Sequence, residues 1–416
     1  MGKYIINGGR KLSGKITVDR AKNSVMPMIA ASLLTDDPVI IKNCPKILDV
    51  FSMISILNSL GAITFFENDD LVILPKNTKS YKTFSYQSKT LRSSIFMMGA
   101  LVSRFKKAEI SLPGGCDIGE RPIDIHIDVL NKLGCKTVLT KEGVICTAKN
   151  LKCCEYRLPF ASVGATENAI LVAVKVSGTT ILNNVAREPE IVDLVCFLRS
   201  MGAKIQGEGT KTIRIDGVKK LHGTEYQPIG DRIEAGTFLT AVAITGGELE
   251  IKGVNAENIC SLIHKLCENS CKVTIVNDII YIKSGINRRA FSLVTGPYPL
   301  FATDLQSQAM ALACLSEGES VIRENVFENR FRHVEELIKF GANIKIYGRA
   351  SVINGVKEFN PATVFAKDLR GGASLVLGAL NAKGESQVCD ICHIERGYAN
   401  FDSKLRSIGA DIKKID

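Results

Sequence analysis

A six-residue pattern recurs along the chain and constrains its fold more than any other sequence feature. It reads Leu-x-x-Leu-Gly-Ala, with small variations, and recurs every 68–73 residues. The six copies occupy residues 57–62, 130–135, 198–203, 266–271, 337–342 and 405–410. Each copy closes an amphipathic segment, and a glycine at the fifth position is typical of a helix C-cap. Six copies of one structural unit therefore account for the whole chain.

The segments between these hexamers follow one order. A small-residue apolar segment comes first, at residues 24–35, 93–103, 167–177, 235–246, 307–317 and 372–383. A short strand pattern follows, then the amphipathic helix, then two alternating strands such as residues 272–276 and 279–282. The predicted unit is α-β-α-β-β, and the fold class is α/β (α+β). Because the first helix is apolar nearly all round, we expect it to lie inside its domain.

The two ends of the chain predict where the domains divide. The sixth unit lacks its last strand, whereas strand-like segments at residues 4–6 and 15–18 precede the first helix. We therefore expect the N-terminus to complete the last unit. This predicts one domain of repeats one to three at residues 22–228, and another of repeats four to six at residues 1–21 and 229–416. Two chain crossings between domains suit a cleft that closes on its ligand.

The charge of the chain narrows the class of ligand. The formal net charge is +10, from 53 Lys and Arg against 43 Asp and Glu. The basic residues are dispersed, tryptophan is absent, and no nucleic-acid-binding motif is recognisable. Small anions are therefore favoured over nucleic acid or a membrane surface. No apolar stretch reaches the length of about 18 residues that a membrane span needs.

The thirteen cysteines show neither a disulfide framework nor a metal-ligand spacing. A single C-x-x-C-H run at residues 389–393 resembles the c-type haem attachment pattern, but it lies near the end of an enzyme-sized chain without a signal peptide. We expect reduced thiols, a cytoplasmic protein, no metal and no cofactor.

A glycine-rich segment at residues 112–126 displays one cysteine beside an arginine. It reads Leu-Pro-Gly-Gly-Cys-Asp-Ile-Gly-Glu-Arg-Pro-Ile-Asp-Ile-His. Three glycines leave backbone N–H groups uncovered for a ligand, while two prolines limit the conformations of the segment. Cys116, five residues before Arg121, is predicted to be a reactive thiol near an anion. The alternative is a surface turn with an incidental thiol.

Charged residues stand at the starts of the apolar helices. Lys22, Arg92, Asp304 and Arg370 are examples, and a helix N-terminus attracts anions. Taken alone, Lys22 has a plainer interpretation as a solvated lysine, and Asp304 as an N-cap. If these helix ends face one cleft, the basic residues that could converge there are Lys22, Arg92, Arg121, Arg330, Arg370 and Arg396. The planar guanidinium group of arginine suits phosphate and carboxylate.

Eight short motifs are distributed along the whole chain. They are Ala-Lys-Asn at 21–23, the glycine-rich segment at 112–126, Ser-Val-Gly-Ala-Thr-Glu at 162–167, Asp-Arg-Ile-Glu-x-Gly-Thr at 231–237, Tyr-Pro-x-x-x-Thr-Asp at 298–304, Glu-Asn-Arg-Phe at 328–331, Asp-Leu-Arg at 368–370 and Ile-x-Arg-Gly-Tyr at 394–398. Together they resemble the UDP-N-acetylglucosamine 1-carboxyvinyltransferases, a family of enolpyruvyl transferases. The resemblance implies two inside-out α/β domains of three repeats each. Arg20 and Glu120 depart from the family pattern and concern only the detail of their loops.

The resemblance also implies a reaction. In this family the enolpyruvyl group of phosphoenolpyruvate passes to the 3′-hydroxyl of UDP-N-acetylglucosamine by addition and elimination, with release of phosphate, as a step of peptidoglycan synthesis. By resemblance, Cys116 donates a proton to the methylene carbon and Asp304 deprotonates the hydroxyl. The implied phosphate and carboxylate ligands are Lys22, Arg121 and Arg396. The implied UDP-sugar contacts are Asn23, Arg92, Arg121, Pro122, Ile123, Asp124, Ile125, Asp304 and Val326, with Arg330 and Arg370 as further candidates in the cleft.

Two alternatives remain open. The sister enzyme, 5-enolpyruvylshikimate-3-phosphate synthase, has the same six-unit architecture but lacks this cysteine segment. A non-catalytic paralogue that binds UDP-sugars or a protein partner belongs to a different class. The presence of Cys116, Lys22, Asp304 and Arg396 argues against it.

Overall fold

The computed structural model describes residues 2–83, 95–111, 123–141, 143–285 and 287–416. These residues form two compact units. The terminal unit consists of residues 2–19 and 230–416, and the central unit consists of the described residues between 20 and 229. No helix in these ranges is long and apolar enough to cross a membrane.

Thirteen α-helices and twenty-three strands lie in the described residues. The helices are α1 Lys22–Ala31, α2 Leu48–Ser59, α3 Phe96–Phe105, α4 Asp124–Lys132, α5 Val163–Ala173, α6 Pro189–Ser200, α7 Arg232–Thr245, α8 Cys260–Glu268, α9 Gln306–Ala313, α10 Val334–Lys339, α11 Leu369–Asn381, α12 Cys392–Glu395 and α13 Phe401–Ser407. The strands are β1 Lys3–Asn7, β2 Leu12–Thr17, β3 Val39–Ile41, β4 Ile63–Glu67, β5 Asp70–Leu74, β6 Lys107–Ser111, β7 Lys136–Leu139, β8 Gly143–Thr147, β9 Glu155–Arg157, β10 Thr179–Asn183, β11 Lys204–Gln206, β12 Thr212–Asp216, β13 Thr224–Tyr226, β14 Gly247–Lys252, β15 Lys272–Val276, β16 Ile279–Lys283, β17 Leu293–Val294, β18 Glu319–Arg323, β19 Asn343–Tyr347, β20 Ala350–Asn354, β21 Thr363–Phe365, β22 Glu385–Cys389 and β23 Asp411–Ile415.

Three helices form the inside of each unit. They are α1, α3 and α5 in the central unit, and α7, α9 and α11 in the terminal unit, and nearly all their residues are buried. Glycine lets these helices approach closely, because a Cβ on Gly99 of α3 would lie 2.7 Å from Asn168 Oδ1 of α5. Every inside helix starts within four residues of its predicted start. The predicted α/β class with an inside helix in each repeat is confirmed.

Six small sheets complete the two units. Their strand orders are β13-β3-β5-β4, β6-β8-β7, β9-β10-β12-β11, β2-β14-β16-β15, β17-β18-β20-β19 and β21-β22-β1-β23. In five of them the first strand pairs in parallel with the strand that follows the inside helix. The predicted α-β-α-β-β unit omitted this strand and is wrong on that point. The sequence signal is weak because β9, β13, β17 and β21 contain only two or three residues each.

The strands near the N-terminus belong to sheets of the terminal unit. β1 lies between β22 and β23 and is antiparallel to both, with Ile5 opposite Gln387 and Lys413. β2 precedes α1 in the chain but pairs with β14, whereas β13 precedes α7 but pairs with β3. The two strands that precede α1 and α7 are therefore exchanged between the sheets of repeats one and four.

The recurring hexamers end their helices as predicted. Their fifth residue is glycine in five copies, at Gly61, Gly134, Gly202, Gly341 and Gly409, with φ between 93° and 103°. In the fourth copy this residue is Ser270, with φ of 77°. A left-handed residue at the end of the helix is thus common to all six repeats.

Candidate active site

Asp304 lies between two buried arginines in the terminal unit. Arg330 Nη2 donates a hydrogen bond to Asp304 Oδ1 at 3.0 Å, and Arg370 Nη2 donates one to Oδ2 at 3.2 Å. The arginine side chains are 4% and 3% exposed, whereas 27% of the Asp304 side chain is exposed. The structure therefore brings together three of the predicted site residues, and the carboxylate is the member that a ligand can reach.

Asp304 does not serve as a helix cap. It lies in a 3-10 turn, Thr303–Leu305, directly before α9. The N-cap residue of α9 is Leu305, which makes no side-chain cap hydrogen bond. The plainer interpretation of Asp304 as an N-cap is therefore wrong, and its carboxylate instead binds arginine.

The two arginines are fixed by their own elements. Arg370 is the second residue of α11, and the N-cap Asp368 accepts hydrogen bonds from Arg370 N at 3.0 Å and Gly371 N at 2.9 Å. Arg330 precedes α10, and its Nη2 also donates to the carbonyl oxygen of Thr303 at 3.1 Å. Both guanidinium groups are thus held at positions set by helix starts and by the turn itself.

The arginines carry more donors than the carboxylate uses. Nε and Nη1 of Arg370 and Nε of Arg330 are buried and have no hydrogen-bond partner among the described residues. Burial alone would lower the pKa of Arg370, but Tyr398, Asp304 and Asp231 raise that pKa above its ordinary value. The cluster thus combines two guanidinium groups with one carboxyl group, a set suited to a ligand that carries both an anion and a hydroxyl.

A buried polar network of Tyr398, Thr237 and Gln308 packs against Arg370. The guanidinium carbon lies 5.4 Å from the centroid of the Tyr398 ring. The Tyr398 hydroxyl lies 2.8 Å from Thr237 Oγ1 on α7, and Gln308 Nε2 on α9 donates to these two oxygens at 3.3 and 3.1 Å. Burial raises the pKa of Tyr398, so its hydroxyl stays protonated. The network ties Arg370 to two inside helices.

Glu324 joins the turn of Asp304 to Val326. Its carboxylate accepts hydrogen bonds from Thr303 Oγ1 at 3.0 Å, Val326 N at 2.8 Å and Phe327 N at 3.0 Å. The side chain of Glu324 is fully buried. Val326, which the family resemblance assigns to the UDP-sugar, is therefore anchored to the same turn as Asp304.

His333 is a buried neighbour of the arginines that sequence reasoning missed. It is 1% exposed, and neither ring nitrogen has a hydrogen-bond partner among the described residues. Burial lowers the pKa of His333 to about 4, with Asp368 opposing this shift and Arg330 adding to it. The imidazole is therefore neutral at pH 7.

Arg396 was predicted from the sequence as a site residue. It is the half-buried C-cap residue of α12, in the same unit as Asp304.

Lys22 forms an ion pair in the central unit that is largely shielded from water. It is the first residue of α1, and its Nζ lies 2.7 Å from Asp49 Oδ2. The two side chains are only 13% and 4% exposed. The plainer interpretation of Lys22 as a solvated lysine is therefore wrong. Asn23, the other predicted residue of this turn, follows directly in α1.

Residues 123–125 open helix α4. Ile123 is the N-cap, and Asp124 and Ile125 are the first two helical residues. The Asp124 side chain is exposed, and its Oδ1 accepts a hydrogen bond from Ile125 N at 2.8 Å. The other predicted residues, Arg92, Cys116, Arg121 and Pro122, lie outside the described residues, and their roles stay predictions.

A buried carboxyl group on α5 had no predicted role. Glu167 is 1% exposed, and its Oε2 has no hydrogen-bond partner in the part of the chain that the structure describes. Burial, and then the neighbouring Glu190 and Glu188, raise the pKa of Glu167 well above its ordinary value. An acidic residue inside a small-residue apolar helix was the signal that could have identified it.

The whole chain matches known enolpyruvyl transferases. Residues 6–405 match the family described as EPSP synthase (3-phosphoshikimate 1-carboxyvinyltransferase). The chain is 47% identical to UDP-N-acetylglucosamine 1-carboxyvinyltransferase 2 of Caldanaerobacter subterraneus subsp. tengcongensis and 45% identical to UDP-N-acetylglucosamine 1-carboxyvinyltransferase 1 of Clostridium acetobutylicum. Each alignment covers 100% of both chains.

Solved structures share the same architecture. The enolpyruvyl transferase NikO from Streptomyces tendae is 26% identical, with a TM-score of 0.89 over 100% of this chain and 99% of that one. EPSP synthase from Acinetobacter baumannii is 19% identical, with a TM-score of 0.77 over 100% of both chains. The second likeness shows the fold alone.

Proposed function

The chain belongs to the EPSP synthase family of enolpyruvyl transferases, and from that premise we propose that it is a UDP-N-acetylglucosamine 1-carboxyvinyltransferase. It transfers the enolpyruvyl group of phosphoenolpyruvate to the 3′-hydroxyl of UDP-N-acetylglucosamine, releases phosphate, and so serves peptidoglycan synthesis. The observation that carries the assignment within this chain is the partly exposed Asp304 carboxylate held by Arg330 and Arg370.

The reaction needs an acid, a base and an anion-binding surface. In the addition step the sugar oxygen bonds to the carbon that bears the phosphate, and a proton bonds to the methylene carbon. In the elimination step the methyl group loses a proton and the C–O bond to phosphate breaks. We assign the donated proton to Cys116 and the removal of the hydroxyl proton to Asp304. Because charge develops on the phosphoenolpyruvate moiety in both steps, fixed cations lower the barrier.

Asp304 suits the role of base by its position. Its oxygens are oriented by one arginine each, while more than a quarter of the side chain stays exposed. A sugar hydroxyl can therefore approach a carboxylate that does not need to reorient. Arg370 and Arg330 are buried, so they orient Asp304 and supply positive charge beneath the ligand.

Lys22, Arg121 and Arg396 are assigned to the phosphate and carboxylate groups of phosphoenolpyruvate. Lys22 supports this role because it opens α1, where its ammonium group and the positive end of the helix dipole act together on an anion. Asp49 holds the ammonium group in place at 2.7 Å. The proposed contacts to the UDP-sugar are Asn23, Arg92, Arg121, Pro122, Ile123, Asp124, Ile125 and Val326.

We place the protein in the cytoplasm, with phosphoenolpyruvate and UDP-N-acetylglucosamine as its small-molecule partners. All twelve cysteines of the described residues are free thiols, as a reducing compartment favours. We propose that the central and terminal units correspond to the domains predicted at residues 22–228 and at residues 1–21 with 229–416.

A phosphate-release assay with two acceptor substrates tests the proposal. With phosphoenolpyruvate present, UDP-N-acetylglucosamine should support release of phosphate and shikimate 3-phosphate should not. The Cys116→Ala variant should retain its fold and lose most of this activity. Phosphate release only when shikimate 3-phosphate is the acceptor would favour the sister reaction. Binding of UDP-N-acetylglucosamine without release of phosphate would favour a non-catalytic paralogue.

A further inference from the structure

The central unit contains a charged cavity at the far end of its inside helices from Lys22. Its volume is about 300 Å³, and its charged lining consists of Asp36, Arg104, Lys175 and Lys220. The 3-10 turn Ser32–Leu34 that continues α1 reaches this cavity, whereas Lys22 starts α1. Twelve residues of helix separate the two ends by roughly 18 Å. The cavity is therefore separate from the start of α1, where Lys22 lies.

Arg104, one of the positive charges that line the cavity, has a structural role. Its Nη1 donates hydrogen bonds to the carbonyl oxygens of Leu33 and Thr35, both at 2.9 Å. Its Nη2 donates to Asp36 Oδ1 at 2.6 Å and to the carbonyl oxygen of Pro75 at 3.3 Å. Cations commonly satisfy carbonyl groups at helix ends in this way. All four N–H groups on Nη1 and Nη2 of Arg104 already donate to acceptors of the protein. Arg104 therefore lines the cavity without a terminal N–H group left to donate to a ligand.

Lys175 has no such explanation. It lies two residues beyond the end of α5, is half-buried, and its ammonium group has no hydrogen bond or ion pair with any described residue. Burial lowers the pKa of Lys175, Arg104 and Lys106 lower it further, and Asp36 opposes them. An ammonium group held beside two other cations without an acceptor is unfavourable unless an anion joins it.

Lys220 adds a second available cation to the same cavity. Its side chain is 76% exposed, and its contact with the nearest carboxylate, Asp37 Oδ2, is 4.0 Å long. Arg104 and Asp36 are already paired to each other at 2.6 Å, so Lys175 is left without a counter-charge and Lys220 has only its long, exposed ion pair with Asp37. Two ammonium groups match a phosphate dianion, and the volume leaves room for an organic group beyond the phosphate.

We propose that this cavity binds a phosphate-bearing small molecule through Lys175 and Lys220. The cavity would be a second anion site of the protein, independent of the reaction proposed above. Inorganic phosphate and an organic phosphate share the phosphate dianion that the two lysines would bind. Both are therefore used as ligands in the test.

Covalent labelling of the full-length protein with pyridoxal 5′-phosphate measures the reactivity of Lys175 directly. The aldehyde carbon condenses with Lys175 Nζ to an imine with loss of water, and borohydride then delivers hydride to the imine carbon to give a stable secondary amine. Mass mapping of peptides compares each lysine separately, so labelling at Lys22 does not confuse the result. We expect Lys175 to react about tenfold faster than Lys219, which is exposed but does not line the cavity.

Protection and one matched pair of variants complete the test. Inorganic phosphate and glucose 6-phosphate should each slow the labelling of Lys175 and leave Lys219 unchanged, and the more protective of the two identifies the better ligand class. Lys220→Gln should weaken this protection about tenfold, whereas Lys219→Gln should not. The proposal is overturned if Lys175 reacts no faster than Lys219, if chloride at equal ionic strength protects as well as phosphate, or if Lys220→Gln leaves protection intact. None of these results depends on the enolpyruvyl transfer.

Discussion

Arg330 Nη2 lies 3.0 Å from Asp304 Oδ1 and also 3.1 Å from the carbonyl oxygen of the preceding residue, so a single nitrogen holds both the side chain and the backbone of one turn. Arg370 holds the other carboxylate oxygen. Because both arginines are buried, the carboxylate loses little further conformational freedom when a ligand binds. This arrangement suits a group that must meet one hydroxyl in one orientation.

Replacing Asp304 by Asn should remove the proposed base. Turnover in the phosphate-release assay should fall by roughly two to four powers of ten, because the amide cannot accept the proton. The melting temperature should also fall, since two buried guanidinium groups lose their counter-charge. Asp304→Glu, which keeps a carboxylate, should recover part of both losses. A folded Asp304→Asn enzyme with near-normal turnover would remove Asp304 from the catalytic role.

Replacing Asp49 by Asn should misplace Lys22. The ion pair at 2.7 Å is largely shielded from water, and a hydrogen bond to a charged group contributes about 1.5–3 kcal/mol. We therefore expect KM for phosphoenolpyruvate to rise roughly 10- to 100-fold, with a smaller effect on KM for the UDP-sugar. Asp37→Asn, at a long and exposed ion pair, is the matched control. Steady-state kinetics that give equal changes for both substrates would contradict a positioning role for Asp49.

Replacing Glu167 by Gln should change how stability depends on pH. The pKa of Glu167 in the folded protein is raised above the ordinary value of 4.5 by burial. The protonated form is thus favoured in the fold, and the stability it contributes is complete below that value and lost as the pH rises. Gln cannot ionise, so Glu167→Gln should match the wild type near pH 4 and exceed it increasingly toward pH 8, by up to about 1.4 kcal/mol per pH unit.

Thermal unfolding at several pH values measures this difference. The matched control is Glu109→Gln in β6, because hydrogen bonding to Lys107 lowers the pKa of Glu109. That variant should not gain stability relative to the wild type as the pH rises. A Glu167→Gln protein whose stability difference from the wild type stays constant between pH 5 and pH 8 would show that Glu167 is already ionised in the fold.

Replacing Ser270 by Gly should stabilise the terminal unit. Ser270 has φ of 77°, whereas the five corresponding positions are glycines. A side chain in the left-handed region costs about 1–2 kcal/mol, and the greater freedom of glycine in the unfolded chain offsets part of this gain. We expect a net increase of about 1 kcal/mol in the free energy of unfolding by chemical denaturation. Ser270→Ala, which keeps a Cβ, should show no such gain.

The repeats could be read from the sequence because each one contains strong local signals. A long apolar segment, a glycine helix end and alternating strands identify the inside helices, the C-caps and the hairpins without tertiary information. β17 could not be predicted, because its two residues contain only a single period of alternation, which cannot establish a pattern. The pairing of β2 with β14 depends on contacts between distant parts of the chain.

The residues of the candidate site likewise divide into those with a local sequence signal and those without one. Asp304 and Arg370 were predicted because charged residues at the start of apolar helices are conspicuous. Asp49 was not predicted, because an acidic residue in the first turn of a helix such as α2 is already explained by the helix dipole. Glu324 and His333 stand outside the inside helices, and their importance comes from burial against residues that are distant in sequence. Burial of this kind has no local pattern.

The position of β1 between β22 and β23 sets an order for folding on the ribosome. The central unit contains only residues between 20 and 229, so it can fold while the ribosome is still translating the rest of the chain. β1 leaves the ribosome before the other strands of the described residues, yet its hydrogen-bonding partners are more than 375 residues downstream. At 5–20 residues per second this is a delay of roughly 20–80 s. During that time both edges of β1 stay unpaired, which makes β1 a natural segment for a chaperone to bind.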